Sequence, residues 1–347
     1  MSPGIRKTAI LAVKLAAAGG ILAWLIASRK LTVASFAGVR EHLWLLAGCA
    51  GLLFLLPLLG AMRWRLLLGA QGFEVTYRRT LHLGLVGVLF NTVGVGYVGG
   101  DVVKAYYAAC DQPKGRRAEA VTSVVFDRFL GLAGLLLFAA LAMALNPQAI
   151  WMNPAHPELR VTGWGLLGAC AALAAIFLMA SSPRLWSGSS WQRRVEKLPA
   201  GAILLRVCRA VSAYRSRPGT VAAGVAISFA AHSVNIAFLW GLSQALEFPP
   251  IRVVDFAFCL AVGLAVSSVG LPLGIGFGQA AFGYMFSLYL GDPGYTCGAA
   301  LATLQQAFMI AFNLAVGLPA FLLVKKDAAR VRAEMAADAP AGPGAAP

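Results

Sequence analysis

Residues 121–145 read VTSVVFDRFLGLAGLLLFAALAMAL, twenty-five residues interrupted by charge only at Asp127 and Arg128. At about 1.5 Å per residue, the stretch exceeds the roughly 20 residues that a helix needs to cross a bilayer's hydrocarbon. The same pattern recurs at Thr8–Ala27, Leu43–Met62, Val161–Ala180, Thr220–Leu242, Val254–Leu271 and Gly298–Val324. Gly274–Leu290 is a shorter, charge-free eighth segment. Composition agrees: 59% of the 347 residues are hydrophobic and 12% charged, half the charge share usual for a soluble domain. Those figures exclude two soluble domains, a disordered chain, a collagen-like fibre and a disulfide scaffold. The expected fold is an all-α polytopic integral membrane protein.

Charge sets the expected topology. The formal net charge is +15, from 29 Lys and Arg against 14 Asp and Glu. Thr80–Gly100 is the ambiguous segment, helical in its first half and then broken by Asn91 and glycines 94, 96, 99 and 100. If it enters and leaves on one side while the other eight segments span, 22 of the 29 cations fall on one face and five on the other. Lys14 and Arg128 lie within spans. The positive-inside rule makes the richer face cytoplasmic. The expectation is eight spans, both termini cytoplasmic, and one re-entrant hairpin at 80–100. Ser28-Arg29-Lys30 after the first span offers no good cleavage site, which argues against a signal peptide. In the long inside loop, Ile203, Leu204, Val207, Val211 and Tyr214 share one helical face. That pattern predicts an amphipathic helix at about 200–215 lying in the headgroup layer. Residues 1–326 then form one membrane domain, and 327–347, rich in Ala, Pro and Gly, a disordered tail.

Few residues suggest enzymatic chemistry. The six cysteines and four histidines are scattered, without CxxC or HExxH spacing, so no metal, cofactor or Cys-His nucleophile is expected. Gly94-Val-Gly96-Tyr-Val-Gly99 matches GxGxxG by letter, but membrane segments flank it where a dinucleotide fold needs strands. Its local physics carries more. Gly99-Gly100-Asp101 leads into Val102–Cys110, a helix with Asp101 as its expected N-cap. A glycine-rich turn feeding a helix N-terminus suits an anion, with Lys104 one turn along and Tyr106 and Tyr107 at the interface. The alternative is that Asp101 only caps and Lys104 only snorkels.

Asp127 and Arg128 are the sharper anomaly, because each charge costs up to about 2.5–3.5 kcal/mol at a helix centre. Sequence neighbours point about 100° apart on a helix, so each needs its own partner. The hairpin is the expected donor: Asp101 for Arg128, and Asn91 for Asp127. A structural clamp and a direct role in transport both fit. In the other half, Ser267-Ser268-Val-Gly-Leu-Pro272-Leu-Gly274-Ile-Gly276-Phe-Gly-Gln279 interrupts an otherwise apolar run. One Gly/Pro-broken segment in each half points to a transporter site at the interface of an inverted repeat; glycine used for tight helix packing is the alternative.

Three blocks resemble a known family. Phe90-Asn91, Gly96-Tyr-Val-Gly99-Gly100-Asp101-Val-Val-Lys104-Ala-Tyr-Tyr107 and Ser123-Val-Val-Phe-Asp127-Arg128-Phe-Leu-Gly131 resemble the lysylphosphatidylglycerol synthase transmembrane region, or flippase-like domain family. The resemblance covers roughly residues 5–325. The chain departs from it at Gly94-Val95, where Leu-Pro is common, and at Leu273 and Gln279, where Gly and Glu stand. It implies a membrane domain that moves lipids or lipid-linked molecules between leaflets. The soluble aminoacyl-transferring domain of two-domain members has no counterpart within these 347 residues, so lysyl transfer is not expected.

The expected function is therefore a flippase or scramblase for an anionic phospholipid or lipid-linked molecule in a prokaryotic inner membrane. Lys104 and Arg128 would hold the phosphate and Asp101 and Asp127 would orient them, beside the break at 267–279. An integral-membrane enzyme acting on lipid-phosphate sugars and a non-transporting accessory subunit are the alternatives. Expected partners are anionic lipids, with a second copy or an enzyme of lipid or glycan synthesis left open. Nucleic acid is not expected: the cations mark topology and a lipid surface.

Overall fold

The computed structural model describes residues 39–93, 99–111, 116–182, 205, 211–212, 214–267 and 276–337. The described residues are mostly helical, with short turns between helices and no strand. In chain order the helices are α1 (Leu43–Ala70), α2 (Tyr77–Val93), α3 (Gly99–Cys110), α4 (Arg117–Leu145) and α5 (Pro147–Trp151). They continue as α6 (Pro157–Ala180), α7 (Pro218–Ala245), α8 (Val253–Ser267) and α9 (Phe277–Ala337). Proline opens α5, α6 and α7 at the first turn, where its missing N–H costs nothing. Gly291, at φ 67° and ψ −151°, kinks α9 into two helices, a backbone state that glycine adopts without a Cβ penalty.

Seven of the eight apolar segments are helices, and five helices are long and apolar enough to cross a membrane. The chain is an all-α polytopic membrane protein. Thr8–Ala27 lies outside the described residues. Of the span expected at Val254–Leu271, the described part is helical, Val253–Ser267, and residues 268–271 lie outside the described residues. Exposed Phe54, Leu55, Leu137, Ile176, Leu318 and Leu322 face outward along the long helices, as a hydrocarbon solvent requires.

Antiparallel packing sorts the helix ends into two layers. Cys49 approaches the Phe238 carbonyl, and fourteen residues along α1 the Arg63 guanidinium reaches Ser228 on α7. Trp64 Nε1 donates to Ser123 near the start of α4 (3.0 Å), while Asn146 beyond its far end bonds Asp255 at the start of α8. Ala70, Tyr77, Cys110, Arg117 and Pro218 thus share one end of the bundle, and Leu43, Leu145, Ala245 and Val253 the other.

The hairpin is longer than its expected 80–100. Its arms are all of α2 and α3, about 25 and 18 Å long at 1.5 Å per residue. Arg79 and Asp111 form a bidentate ion pair where the arms open (2.9 and 2.8 Å), and Asn91 accepts from the Gly100 N–H near the tip (2.9 Å). Both arms run on as helix because Tyr77–Leu89 and Val102–Cys110 carry no helix breaker other than isolated glycines. Along its outer side α2 packs on the second half of α9: His82 Nε2 lies 2.7 Å from the Ala320 carbonyl, and Asn313 Nδ2 donates to Thr92 (2.9 Å).

Two expectations need correction. Most of the amphipathic segment at 200–215 lies outside the described residues, but its apolar Val211 and Tyr214 are buried against Leu67, Phe126 and Leu130 rather than turned to a headgroup layer. Tyr214 stacks on Phe126 (centroids 4.2 Å), accepts from Gln71 Nε2 (2.6 Å) and donates to the Leu67 carbonyl (3.2 Å). Burial raises its phenol above the ordinary range, so it stays a neutral donor. The tail expected from residue 327 is instead helical to Ala337. Its sequence KDAARVRAEMAA is built from strong helix formers, a signal that the Ala, Pro and Gly content of the last ten residues obscured. Residues 338–347 lie outside the described part.

Candidate functional site

A buried polar cluster is centred on Asp127. On α4 it lies about 15 Å along the axis from Arg117, and its carboxylate is 7% exposed. Arg63 Nε donates to one oxygen (2.8 Å) and Lys104 Nζ to the other (3.0 Å). Both cations are nearly as buried, at 13% and 11%. Three helices are thereby tied together: α1 through Arg63, α3 through Lys104, α4 through Asp127. Arg63 also donates to Ser228 Oγ on α7 (2.7 Å), and Lys104 sits 4.2 Å over the Trp64 ring. Gly131, one turn beyond Asp127, leaves room for the guanidinium: a Cβ there would stand 3.3 Å from Arg63 Nη1.

Arg128 points elsewhere, as the 100° step demands. Its Nε donates to Asp101 Oδ2 at 2.5 Å. This pair is open, with Arg128 48% exposed and Asp101 22%. Together the two groups hold three cations and two carboxylates, one net positive charge inside the bundle.

The expected pairing of Arg128 with Asp101 is present. The expected pairing of Asp127 with Asn91 is not: Asn91 caps Gly100, and Arg63 takes its place. Arg63 directly follows the apolar run Leu43–Met62, so by sequence it reads as one more cation of the inside face. The signal that could have found it is its position, seven residues before the helix actually ends at Ala70. Asp101 is not an N-cap; α3 starts at Gly99, so Asp101 sits in the first turn, where its charge complements the helix dipole. Tyr107 packs against the apolar clusters that hold Trp64 and Leu83 on one hand and Val86 and Phe90 on the other. Tyr106 is exposed.

Described residues that flank the two broken segments line a cavity of about 90 Å³. Asn91 and Val88 of the hairpin line one side, and Ser267 and Gly278 the other. Gln305, Gln306 and Asn313 of α9 complete it, residues the sequence reading passed over inside an apolar run. Gln279 is buried behind this wall: its Oε1 accepts from the Gly276 N–H (2.7 Å), and its Nε2 donates to Gln306 Oε1 (2.8 Å) and Thr303 Oγ1 (3.3 Å). Gly276 holds φ 82°, so the Gln279 amide closes a turn that only glycine enters readily. Ser267 donates to the Gly263 carbonyl (2.6 Å). Ser268, Pro272 and Gly274 lie outside the described residues. No group of three His, Cys, Asp or Glu among the described residues is placed to hold a metal ion.

A family model, the lysylphosphatidylglycerol synthase TM region, matches residues 11–317. The chain belongs to this family. No curated protein and no solved structure matches it. The family's transmembrane region therefore includes α1 to α8 and most of α9, with the Arg63–Asp127–Lys104 cluster, the Asp101–Arg128 pair and the amide-lined cavity all inside the match.

Proposed function

We propose that the chain moves an anionic phospholipid or lipid-linked molecule between the leaflets of a prokaryotic inner membrane, as a flippase or scramblase. The observation that carries this reading is the net-positive group of three cations and two carboxylates on α1, α3 and α4, with half-exposed Arg128 at its edge. A phosphate entering from the lipid meets Arg128 first, because Arg128 is half exposed while Lys104 and Arg63 are sealed around Asp127. Asp101 orients Arg128, and the N-terminal turn of α3 adds backbone N–H groups nearby. The buried Arg63, Asp127 and Lys104 position the hairpin that carries Asp101. An enzyme using Asp101 and Asp127 as acid and base is the weaker reading, since each carboxylate already faces a cation.

The test is headgroup-labelled lipid movement in proteoliposomes. Arg128→Ala is expected to slow it at least tenfold, with Arg128→Lys recovering part of the rate and both variants eluting as the parent does. Equal rates in Arg128→Ala and the parent would remove the assignment.

In this reading the layer of Ala70, Tyr77 and Cys110 is cytoplasmic, and α2–α3 is a re-entrant hairpin open to that side. Cys110 is exposed, while Cys49 and Cys259 are buried. A chain retaining Cys110 alone should react with a membrane-impermeant maleimide in inside-out vesicles and stay unlabelled in spheroplasts. Labelling in spheroplasts would invert the topology.

A further inference from the structure

Two short helices flank the second broken segment. α8 has 15 residues, and the first half of α9 has 14, from Phe277 to Leu290 before the Gly291 kink. At 1.5 Å per residue they are about 22 and 21 Å long, against roughly 30 Å of hydrocarbon. Neither is long enough to cross. They run antiparallel: Cys259 Sγ donates to the Met285 carbonyl (3.4 Å), and the Phe256 and Phe286 rings stand 5.3 Å apart. At the other end a Cβ on Gly278 would meet Ser267 Oγ at 3.3 Å. Phe286 also meets Phe248, three residues beyond the end of α7 (5.3 Å). The open ends of the pair, Val253 and Leu290, thus lie in the layer of Ala245, while Ser267 and Phe277 lie at depth. Beyond Gly291 the chain reverses, and α9 runs back past Gln279, at Thr303, to the far layer, where Ala320 meets His82.

Ser267 stands 14 residues in from Val253, and Asn91 stands 14 residues in from Tyr77 in the opposite layer. Each is about 21 Å deep, half of the about 42 Å that α4 covers between the layers. The two inner ends face each other, since Val88 and Asn91 line one cavity with Leu264, Ser267 and Gly278. Nine peptide steps join Ser267 to Gly276, a covalent reach of about 16 Å out and back at full extension, short of the far layer. We infer that α8 and the first half of α9 are a second re-entrant hairpin, opposed to α2–α3, and that the seam between their inner ends is the barrier that parts when a headgroup changes leaflet. The barrier role rests on the transport reading above; the hairpin does not. The expected eight spans become six, and removing two leaves the termini on one side. Each leaflet has its own half-length hairpin, and polar groups from both, Asn91 and Ser267, meet where a bilayer is otherwise most apolar. Interrupted helix is tolerated at that depth because protein surrounds it. A half-length hairpin is anchored in one layer only, so its inner end shifts without drawing any residue through the other.

Two measurements on the full chain, freed of other reactive cysteines, test this. Phe277 is 43% exposed, so Phe277→Cys is open to a reagent that reaches its depth. An impermeant maleimide that labels Cys110 from one face of the membrane should leave Phe277→Cys unlabelled from that face, and label it once the chain is unfolded in SDS. A span would bring Phe277 within reach of that face, and labelling there overturns the hairpin. Val88→Cys with Leu264→Cys then places one thiol on each side of the seam, at half-buried apolar positions. A short bis-methanethiosulfonate linker should join them, slow lipid movement in proteoliposomes at least tenfold, and release it on reduction. The single variants, treated alike, should keep their rates. A pair that does not link overturns the facing ends. Unchanged movement in fully linked protein, with linkage read by mass spectrometry, overturns the barrier and leaves the hairpin and the transport reading standing. A parent that moves no lipid removes the transport reading and the barrier with it, and the maleimide result still decides the hairpin.

Discussion

Asp127→Asn is expected to destabilise the bundle by about 3–5 kcal/mol, the usual cost of removing one partner from a buried ionic cluster. The side chain keeps its volume, so packing is not the cause. What changes is that Arg63 and Lys104, 13% and 11% exposed, lose the carboxylate that both donate to. Two like charges then face each other across an uncharged amide. The variant should lose its monodisperse elution in mild detergent and unfold well below the parent's temperature. Lys104→Met added to Asp127→Asn should restore part of that loss, because one stranded cation is removed and a methionine stem can still lie over Trp64. A single variant with unchanged unfolding temperature would show that water or lipid headgroups reach the cluster and that it holds nothing together.

Much of this arrangement was legible in the chain. Apolar length found six of the nine described helices, two of its segments falling on the kinked α9, and the cost of burying charge singled out Asp127 and Arg128. The 100° step on a helix correctly separated their partners and gave Asp101 to Arg128. Arg63 was not legible, because a cation just past an apolar run looks the same whether the helix stops or continues for seven more residues. Gln305, Gln306 and Asn313 were hidden for a related reason: isolated amides in a long apolar helix have no period to betray which face is lined. Tyr214 shows another limit. It is buried as an apolar residue should be, but periodicity cannot tell lipid headgroups from the apolar flank of α1 and α4 as the surface that covers it.

Gly100→Ala is expected to abolish transport outright while leaving the long helices intact, since the damage is confined to the hairpin. A Cβ on Gly100 would lie 2.0 Å from the Gly87 carbonyl oxygen and 2.6 Å from Asn91 Oδ1. Neither can yield: the first is helix backbone, and the second is the acceptor for the Gly100 N–H itself. The arms must separate, which costs at least the 1–3 kcal/mol typical of overpacking. Separation moves Asp101 and Lys104 together, because both ride on α3 within a turn of Gly100. Arg128 then loses its carboxylate, and Asp127 one of its two cations. Gly87→Ala is the internal control: its Cβ would meet the Gly100 carbonyl oxygen at 3.3 Å, a contact that a shift of a few tenths of an ångström relieves. Movement of labelled lipid in proteoliposomes should therefore be near zero for Gly100→Ala and within about threefold of the parent for Gly87→Ala. Equal rates in the two variants would mean that the hairpin does not need its arms in contact, and that the charged site is not held by their crossing.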